Sequence, residues 1–164
     1  GAPFANFTAQ ENDGKNLFLT PPTFNASGVR TSGGLGCAGC HRAPEFDIDP
    51  NTGNNGIIGT IAGTGIDVTN TRAPSLRNLV KLDGTTNGPM MHTGVITSLQ
   101  QSIGHYGTIN IAPGNNNLDP RLRPGGVGQQ LNLTNTEVNA VVAFLRTLSG
   151  SDVYTNPKWS NPFN

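Results

Sequence analysis

Two cysteines three positions apart, followed at once by a histidine, form the sequence Cys37-Ala38-Gly39-Cys40-His41. On one helical turn, two thiols at this spacing can both form thioether bonds to the vinyl groups of one porphyrin, while the adjacent imidazole binds the iron as its proximal ligand. The alternatives are a redox dithiol and half of a zinc site, but zinc needs a second ligand pair and these are the chain's only two cysteines. The motif therefore predicts one covalently attached haem c, held by Cys37, Cys40 and His41.

Two capping boxes mark a first and a last helix. The first, at residues 8–11, opens a helix that ends before Pro21; the second, at residues 134–137, opens an amphipathic helix that ends at Gly150. Gly14 lowers the helix propensity of the first helix by about 1 kcal/mol relative to Ala, which predicts a close approach to another helix. Shorter helices are expected around the cysteine motif, at about 75–80 and at about 96–106, with loops at 51–66, 83–89 and 113–128.

A length of 164 residues suits one domain, 1–164, with a core at about 8–150 and a C-terminal tail at 151–164. A glycine-containing first helix, a C-x-x-C-H turn after it and a closing amphipathic helix resemble the cytochrome c fold. The predicted fold class is therefore all-α: a cytochrome c-like domain with long Gly/Asn/Pro-rich loops around one covalent haem. An apolar fraction of 34% is low for a plain helical bundle, and a porphyrin would supply the missing core.

The charge balance excludes several classes of partner. Ten basic and ten acidic side chains cancel, so nothing favours nucleic acid or an anionic membrane, and no run of about 18 apolar residues could span a bilayer.

The chain begins at Gly1 without an initiator Met, which suggests a mature product whose export signal has been removed. Haem is attached to C-x-x-C-H outside the bacterial cytoplasm, so the predicted location is the periplasm or the extracellular face of the cell.

Further motifs resemble the bacterial di-haem cytochrome c peroxidase and MauG family, specifically its C-terminal, electron-transferring haem domain. They are T-R-A-P-S-L-R-N at 71–78, G-P-M-M-H-T-G at 88–94, S-L-Q at 98–100, H-Y at 105–106 and V-V-A-F-L-R-T-L-S-G at 141–150. The chain departs from the family in having one C-x-x-C-H motif where family peroxidases have two, so the peroxide-reducing half is missing. Thr93 also replaces the usual Asp after His92, and Met90 replaces the usual Tyr.

The sixth iron ligand stays open between Met91 and Tyr106. Counted in the register of the family, Tyr106 lies fourteen residues after His92, where peroxidases have their ligand Met and MauG its ligand Tyr. Thioether ligation is favoured by chemistry, because Met is the commoner partner of His in electron-carrying c-type haems. Met90 is more simply a flexible core residue, and His92 and His105 are expected to be hydrogen-bonded or exposed rather than metal-bound.

Two other features suggest ligand contacts. Residues 47–53 resemble the first half of a calcium loop, but Ile58 stands where the bidentate Glu should be, so a turn is favoured over calcium. Four arginines could neutralise haem propionates, with Arg77 preferred because it lies within the family motif; the others are Arg72, Arg121 and Arg123.

Three functions fit these observations. The leading one is an exported mono-haem c-type cytochrome that carries single electrons between redox proteins and has no substrate of its own. The rival is an enzyme, a cytochrome c peroxidase-like oxidoreductase, or the electron-feeding domain of such a complex. The third is a structural haem protein at the cell surface that self-associates, which only the loop-rich composition of low charge suggests.

Overall fold

The computed structural model describes residues 2–46, 53–152 and 155–159. Within these residues the chain forms three α-helices and one two-stranded antiparallel sheet. In chain order the elements are α1 (Ala9–Leu19), β1 (Pro22–Phe24), β2 (Arg30–Gly33), α2 (Leu99–Gly107) and α3 (Asn135–Arg146). Single 3-10 turns lie at Cys37–Gly39, Pro120–Leu122, Pro124–Gly126 and Pro157–Trp159. No helix of the described ranges has the length and apolarity needed to cross a membrane.

The predicted capping boxes begin α1 and α3. The Thr8 hydroxyl accepts a hydrogen bond from the Glu11 N–H, and the Glu11 carboxylate accepts one from the Thr8 N–H; Thr134 and Glu137 repeat the arrangement at α3. Each box satisfies two backbone donors that the first helical turn leaves unpaired. The sequence analysis is confirmed for both helix starts, and also for α2, which occupies most of the predicted 96–106 segment.

Gly14 allows α1 and α3 to cross at close range. A Cβ atom placed on Gly14 would overlap the carbonyl oxygen of Ala140 and would come within 2.9 Å of the Phe144 Cβ. The predicted close approach at this glycine is therefore confirmed, and its partner is α3. The helix crossing buries Phe18, Val141 and Phe144, each 3% exposed or less.

An aromatic cluster extends this core toward the C-x-x-C-H turn. The Phe18 and Phe144 rings lie 5.2 Å apart between centroids, and the Phe46 ring packs on both, at 5.8 Å from Phe18 and 6.1 Å from Phe144. Because Phe46 follows His41 by five residues, the helix crossing fixes the loop that leaves the cysteine motif.

The prediction of an all-α fold is wrong, because β1 and β2 pair in the described structure. Pro21 and Pro22 end the first helix, and Asn25 then forms a turn in which its side-chain oxygen accepts the N–H groups of Ser27 and Val29. This turn reverses the chain and places Pro22 opposite Gly33 and Phe24 opposite Arg30. Asn25 and Gly28 are residue types that favour such turns, but the all-α prediction has no hairpin at this place.

Two of the predicted shorter helices are also wrong. The cysteine motif forms only one 3-10 turn, and residues 75–80 form no helix. In the latter segment, backbone donors bind other parts of the chain: Leu76 N–H donates to the Phe46 carbonyl and Val80 N–H to the Ser149 hydroxyl. Because these donors are satisfied across the fold, the helical hydrogen bonds do not form.

Candidate functional site

The C-x-x-C-H turn begins at a backbone position that only glycine occupies without strain. Gly36 has φ +70°, and a Cβ there would lie 2.7 Å from the Pro22 Cδ. After it, the N–H groups of Cys40 and His41 both donate to the Cys37 carbonyl, at 3.2 and 2.9 Å. The turn thereby brings both cysteines and the histidine into one short segment, as the covalent attachment of a porphyrin requires.

His41 is oriented by a main-chain acceptor. Its Nδ1 lies 3.1 Å from the Phe46 carbonyl oxygen, and since a carbonyl can only accept, the proton of this contact is on Nδ1. That tautomer puts the lone pair of the imidazole on Nε2, the nitrogen that ligates iron in the predicted role. The orientation of the predicted proximal ligand therefore depends on Phe46, whose ring packs in the helix crossing.

The segment that resembles the family motif at 71–78 holds the loop after His41. The Ser75 hydroxyl donates to the Glu45 carbonyl at 2.7 Å, and the Arg77 guanidinium donates to the Pro44 carbonyl at 2.8 Å. The Arg77 Nε also lies 3.2 Å from the Glu45 carboxylate. Arg77 therefore binds the loop after His41, through Pro44 and Glu45. Its contact with a haem propionate stays a prediction.

The buried carboxylate of Asp119 supports the C-x-x-C-H turn through Arg121. Asp119, 3% exposed, receives two hydrogen bonds from the Arg121 guanidinium, at 2.9 and 3.1 Å, and one from the Gly53 N–H at 3.0 Å. Arg121 in turn donates to the Gly39 carbonyl at 2.5 Å. Burial alone would raise the pKa of Asp119, but the hydrogen bonds and the charge of Arg121 outweigh it and hold that pKa below its usual value.

The two candidates for the sixth ligand meet at one side-chain amide. Asn55 Nδ2 lies 3.2 Å from the Met91 Sδ and 3.4 Å from the Tyr106 hydroxyl. Met91 has φ +66°, a left-handed conformation that is uncommon for a residue with a side chain. The structure therefore brings a thioether and a phenol, 36 and 51 residues away from Asn55 in sequence, to a common place.

The other candidate ligands have different environments. Met90 packs against the hydrophobic core, and its sulphur accepts a hydrogen bond from the Ser102 hydroxyl at 3.0 Å, in agreement with the core role expected for it. His92 Nε2 lies 2.9 Å from the Gly59 carbonyl, and His105 Nε2 lies 2.8 Å from the Asn55 carbonyl. Both histidines are therefore hydrogen-bonded to main-chain oxygens, which is one of the two environments that the sequence predicts for them.

The Cys37 thiol and the Tyr106 phenol both lie in surroundings that raise their pKa values. Burial raises the pKa of the Cys37 thiol to about 12, so the group is a neutral thiol at pH 7 and lacks the depressed pKa of a reactive redox cysteine. Burial also raises the pKa of Tyr106, and the Cys40 and Cys37 thiols add to that rise.

This donor set fits a covalently held haem. Two thiols and an oriented imidazole lie on one turn, and a thioether and a phenol lie together at Asn55, so the chain has side chains for the predicted thioether bonds and iron ligands. Across residues 2–46, 53–152 and 155–159, no three His, Cys, Asp or Glu side chains converge as a metal cluster. The calcium prediction falls largely on residues 47–52, which lie outside the described residues.

Asn55 and Asp119 belong to none of the sequence motifs, and the sequence predicts Arg121 only as a propionate partner. Asn55 stands in a loop rich in Gly and Asn, where one Asn gives no periodic or motif signal. Its partners become visible only when the fold brings residues 55, 91 and 106 together.

Comparison with solved structures finds a similar fold, whereas comparison with protein families and curated proteins finds no match. No protein-family profile and no curated protein matches the chain. Among solved structures, the chain is similar to a MauG-like protein associated with microbial copper homeostasis, with a TM-score of 0.61 and 23% sequence identity over 98% of this chain. The match covers 53% of that protein, so the chain spans about half the length of this structural neighbour.

Proposed function

We propose that the chain is an exported mono-haem c-type cytochrome that carries single electrons between redox proteins. The observation that carries the proposal is the convergence of Met91 and Tyr106 at Asn55, because it puts a thioether beside Tyr106, the residue that the family register favours as the sixth ligand. Met90 has its sulphur on Ser102 instead, which leaves Met91 as the methionine at this position. A thioether opposite an imidazole favours electron transfer, since both oxidation states of the iron keep six ligands.

Each part of the chain has a role in this function. When bound, haem c supplies an iron that alternates between the ferric and ferrous states. Cys37 and Cys40 would hold the macrocycle, and His41, directed by the Phe46 carbonyl, would bind the iron through Nε2. Met91 would supply its sulphur as the further ligand. Because both ligands are held by hydrogen bonds to residues of the fold, little rearrangement accompanies the gain or loss of an electron.

The proposed location and partners follow from the sequence. Covalent attachment at C-x-x-C-H implies an exported protein, in the periplasm or at the cell surface, and the formal net charge of zero gives no attraction for nucleic acid. The partners would be other redox proteins that approach an exposed edge of the haem.

A second function is favoured by the comparison of lengths. Since the chain matches about half of a MauG-like protein, it also fits the electron-feeding domain of a cytochrome c peroxidase-type enzyme. In that case the peroxide-reducing haem would belong to another polypeptide segment or to a partner. The association of the neighbour with copper homeostasis is a property of that protein and adds nothing to the choice between the two functions.

The experiment uses the protein produced with a c-type haem maturation system. We expect haem to stay attached after denaturation in the wild type and to be lost from a Cys37→Ser, Cys40→Ser double variant. The ferric holoprotein is then mixed with hydrogen peroxide and, separately, with cyanide. An electron carrier with six ligands reacts slowly with both and exchanges electrons rapidly with a small redox mediator. Rapid turnover of peroxide by the isolated chain would overturn the carrier proposal in favour of a peroxidase.

A further inference from the structure

We propose that Asn55 is the positioning residue of the sixth ligand: its side-chain amide orients the Met91 thioether and raises the reduction potential of the haem iron. The inference rests on the proposed function. It assigns a role to a residue that belongs to none of the sequence motifs and that touches both candidate ligands.

The geometry gives the amide two acceptors. The Nδ2 group of Asn55 carries two protons, and it lies 3.2 Å from the Met91 Sδ and 3.4 Å from the Tyr106 hydroxyl oxygen. A thioether sulphur has two lone pairs, so it can bind iron through one and accept the Asn55 N–H through the other. The hydrogen bond therefore fixes which lone pair of the sulphur is directed at the metal.

The backbone around Asn55 is held from both sides, which the role of a positioning residue requires. Its neighbour Asn54 is fully buried and exchanges two amide hydrogen bonds with Asn115, at 2.8 and 2.9 Å. On the other side, His105 Nε2 donates to the Asn55 carbonyl at 2.8 Å. The Asn55 Oδ1 accepts the Ile57 N–H at 3.1 Å, so the amide cannot exchange its oxygen and nitrogen without losing this bond.

The Asn55 side-chain amide also connects Tyr106 to Met91, because it contacts both side chains. The phenol hydroxyl accepts from Asn55, and the Tyr106 carbonyl accepts a hydrogen bond from the Gln129 amide at 2.6 Å, so the residue is anchored at both ends. We assign Tyr106 as a neighbour that shares the Asn55 amide, and Met91, whose sulphur lies nearer to the Nδ2 atom, as the residue that the amide presents.

The electronic consequence has a definite sign. An N–H donor withdraws electron density from the sulphur and makes the thioether a weaker donor to ferric iron, which favours the ferrous state. Loss of the donor should therefore lower the potential. One ordinary hydrogen bond corresponds to roughly a fivefold change in an equilibrium constant, and only the part that differs between the two oxidation states affects the potential. At a fixed ambient potential the ratio of ferrous to ferric protein should therefore fall by up to roughly fivefold.

The test compares Asn55→Ala with Ser102→Ala in haem-loaded protein. The control removes the same kind of hydrogen bond from the other methionine, because the Ser102 hydroxyl donates to the Met90 Sδ. We expect Asn55→Ala to lower the ferrous-to-ferric ratio and to shift the near-infrared band of thioether-to-iron charge transfer. Ser102→Ala should change neither, and Asn55→Gln, which keeps an amide donor, should recover part of the loss. Equal effects of Asn55→Ala and Ser102→Ala, or no effect of Asn55→Ala, would overturn the inference.

A measurement on the wild type keeps the inference testable if Asn55→Ala does not fold. In the ferrous protein, the ring current of the porphyrin shifts the methyl resonance of an axial methionine strongly upfield. We expect a nuclear Overhauser contact between the Asn55 side-chain amide protons and that methyl or its neighbouring methylene. A shifted methionine without this contact would overturn the role of Asn55 while leaving the electron carrier in place. Absence of any shifted methionine would instead refute thioether ligation, and with it both proposals.

Discussion

Replacement of Gly14 by alanine sets two physical effects of opposite sign against each other. In an exposed helix, alanine is more favourable than glycine by about 1 kcal/mol. At Gly14, however, the new Cβ would overlap the Ala140 carbonyl oxygen and lie 2.9 Å from the Phe144 Cβ, so α1 and α3 must move apart. Overpacking of a core costs typically about 1–3 kcal/mol, and a main-chain oxygen cannot rotate away. We therefore expect a net loss of up to about 2 kcal/mol.

Gly104 provides the matched control, because it also lies inside a helix and a Cβ there would meet no atom within 4 Å. Gly104→Ala should stabilise the protein by up to about 1 kcal/mol. The assay is urea unfolding of the haem-loaded proteins followed by far-ultraviolet circular dichroism, with comparison of midpoints at unchanged slope. For a chain of this size, 1 kcal/mol corresponds to about 2–4 °C in Tm. If Gly14→Ala stabilised the protein as Gly104→Ala does, the close helix crossing would be refuted.

Two further changes test the support of the site. Arg121→Ala removes the hydrogen bonds to buried Asp119 and to the C-x-x-C-H turn, so it should lower the free energy of unfolding in urea by about 1–3 kcal/mol. Arg77→Ala removes an ion pair in which both side chains are more than half exposed, and it should cost below about 1 kcal/mol. Equal losses in the two variants would contradict the assigned roles. Burial would raise the pKa of Glu137, but bonds from Thr134 and Arg30 hold it below its usual value, so the stability from this group is present above the unfolded pKa and is lost as the pH falls through the folded one. Glu137→Gln should accordingly flatten the acid limb of a plot of Tm against pH, and an unchanged acid limb would contradict the lowered pKa.

The features that sequence predicted correctly are those coded within a few residues. A capping box joins positions three apart in sequence, so the two helix starts can be predicted from Thr8 with Glu11 and from Thr134 with Glu137. Gly14 was informative because glycine inside a helix needs a compensating contact. The spacing of the cysteine motif is equally local, although the haem that it predicts is a matter for experiment.

The features that sequence missed depend on contacts between distant residues. Arg121 and the turn carbonyl at Gly39 are separated by 82 residues, and no pattern links them. The segment 75–80 looked helical because its apolar spacing is compatible with a helix, but the Phe46 carbonyl and the Ser149 hydroxyl take its backbone donors. Asn55 is the clearest case, since an isolated Asn in a polar loop becomes interpretable only beside Met91 and Tyr106.

The most direct test of the account is the near-infrared spectrum of the ferric holoprotein, recorded for the wild type, Met91→Ala and Met90→Ala. Ligation by Met91 predicts a low-spin ferric haem with a thioether-to-iron band in the wild type and in Met90→Ala, and loss of that band with conversion to high spin in Met91→Ala. A high-spin wild type, or an unchanged spectrum in Met91→Ala, would contradict it.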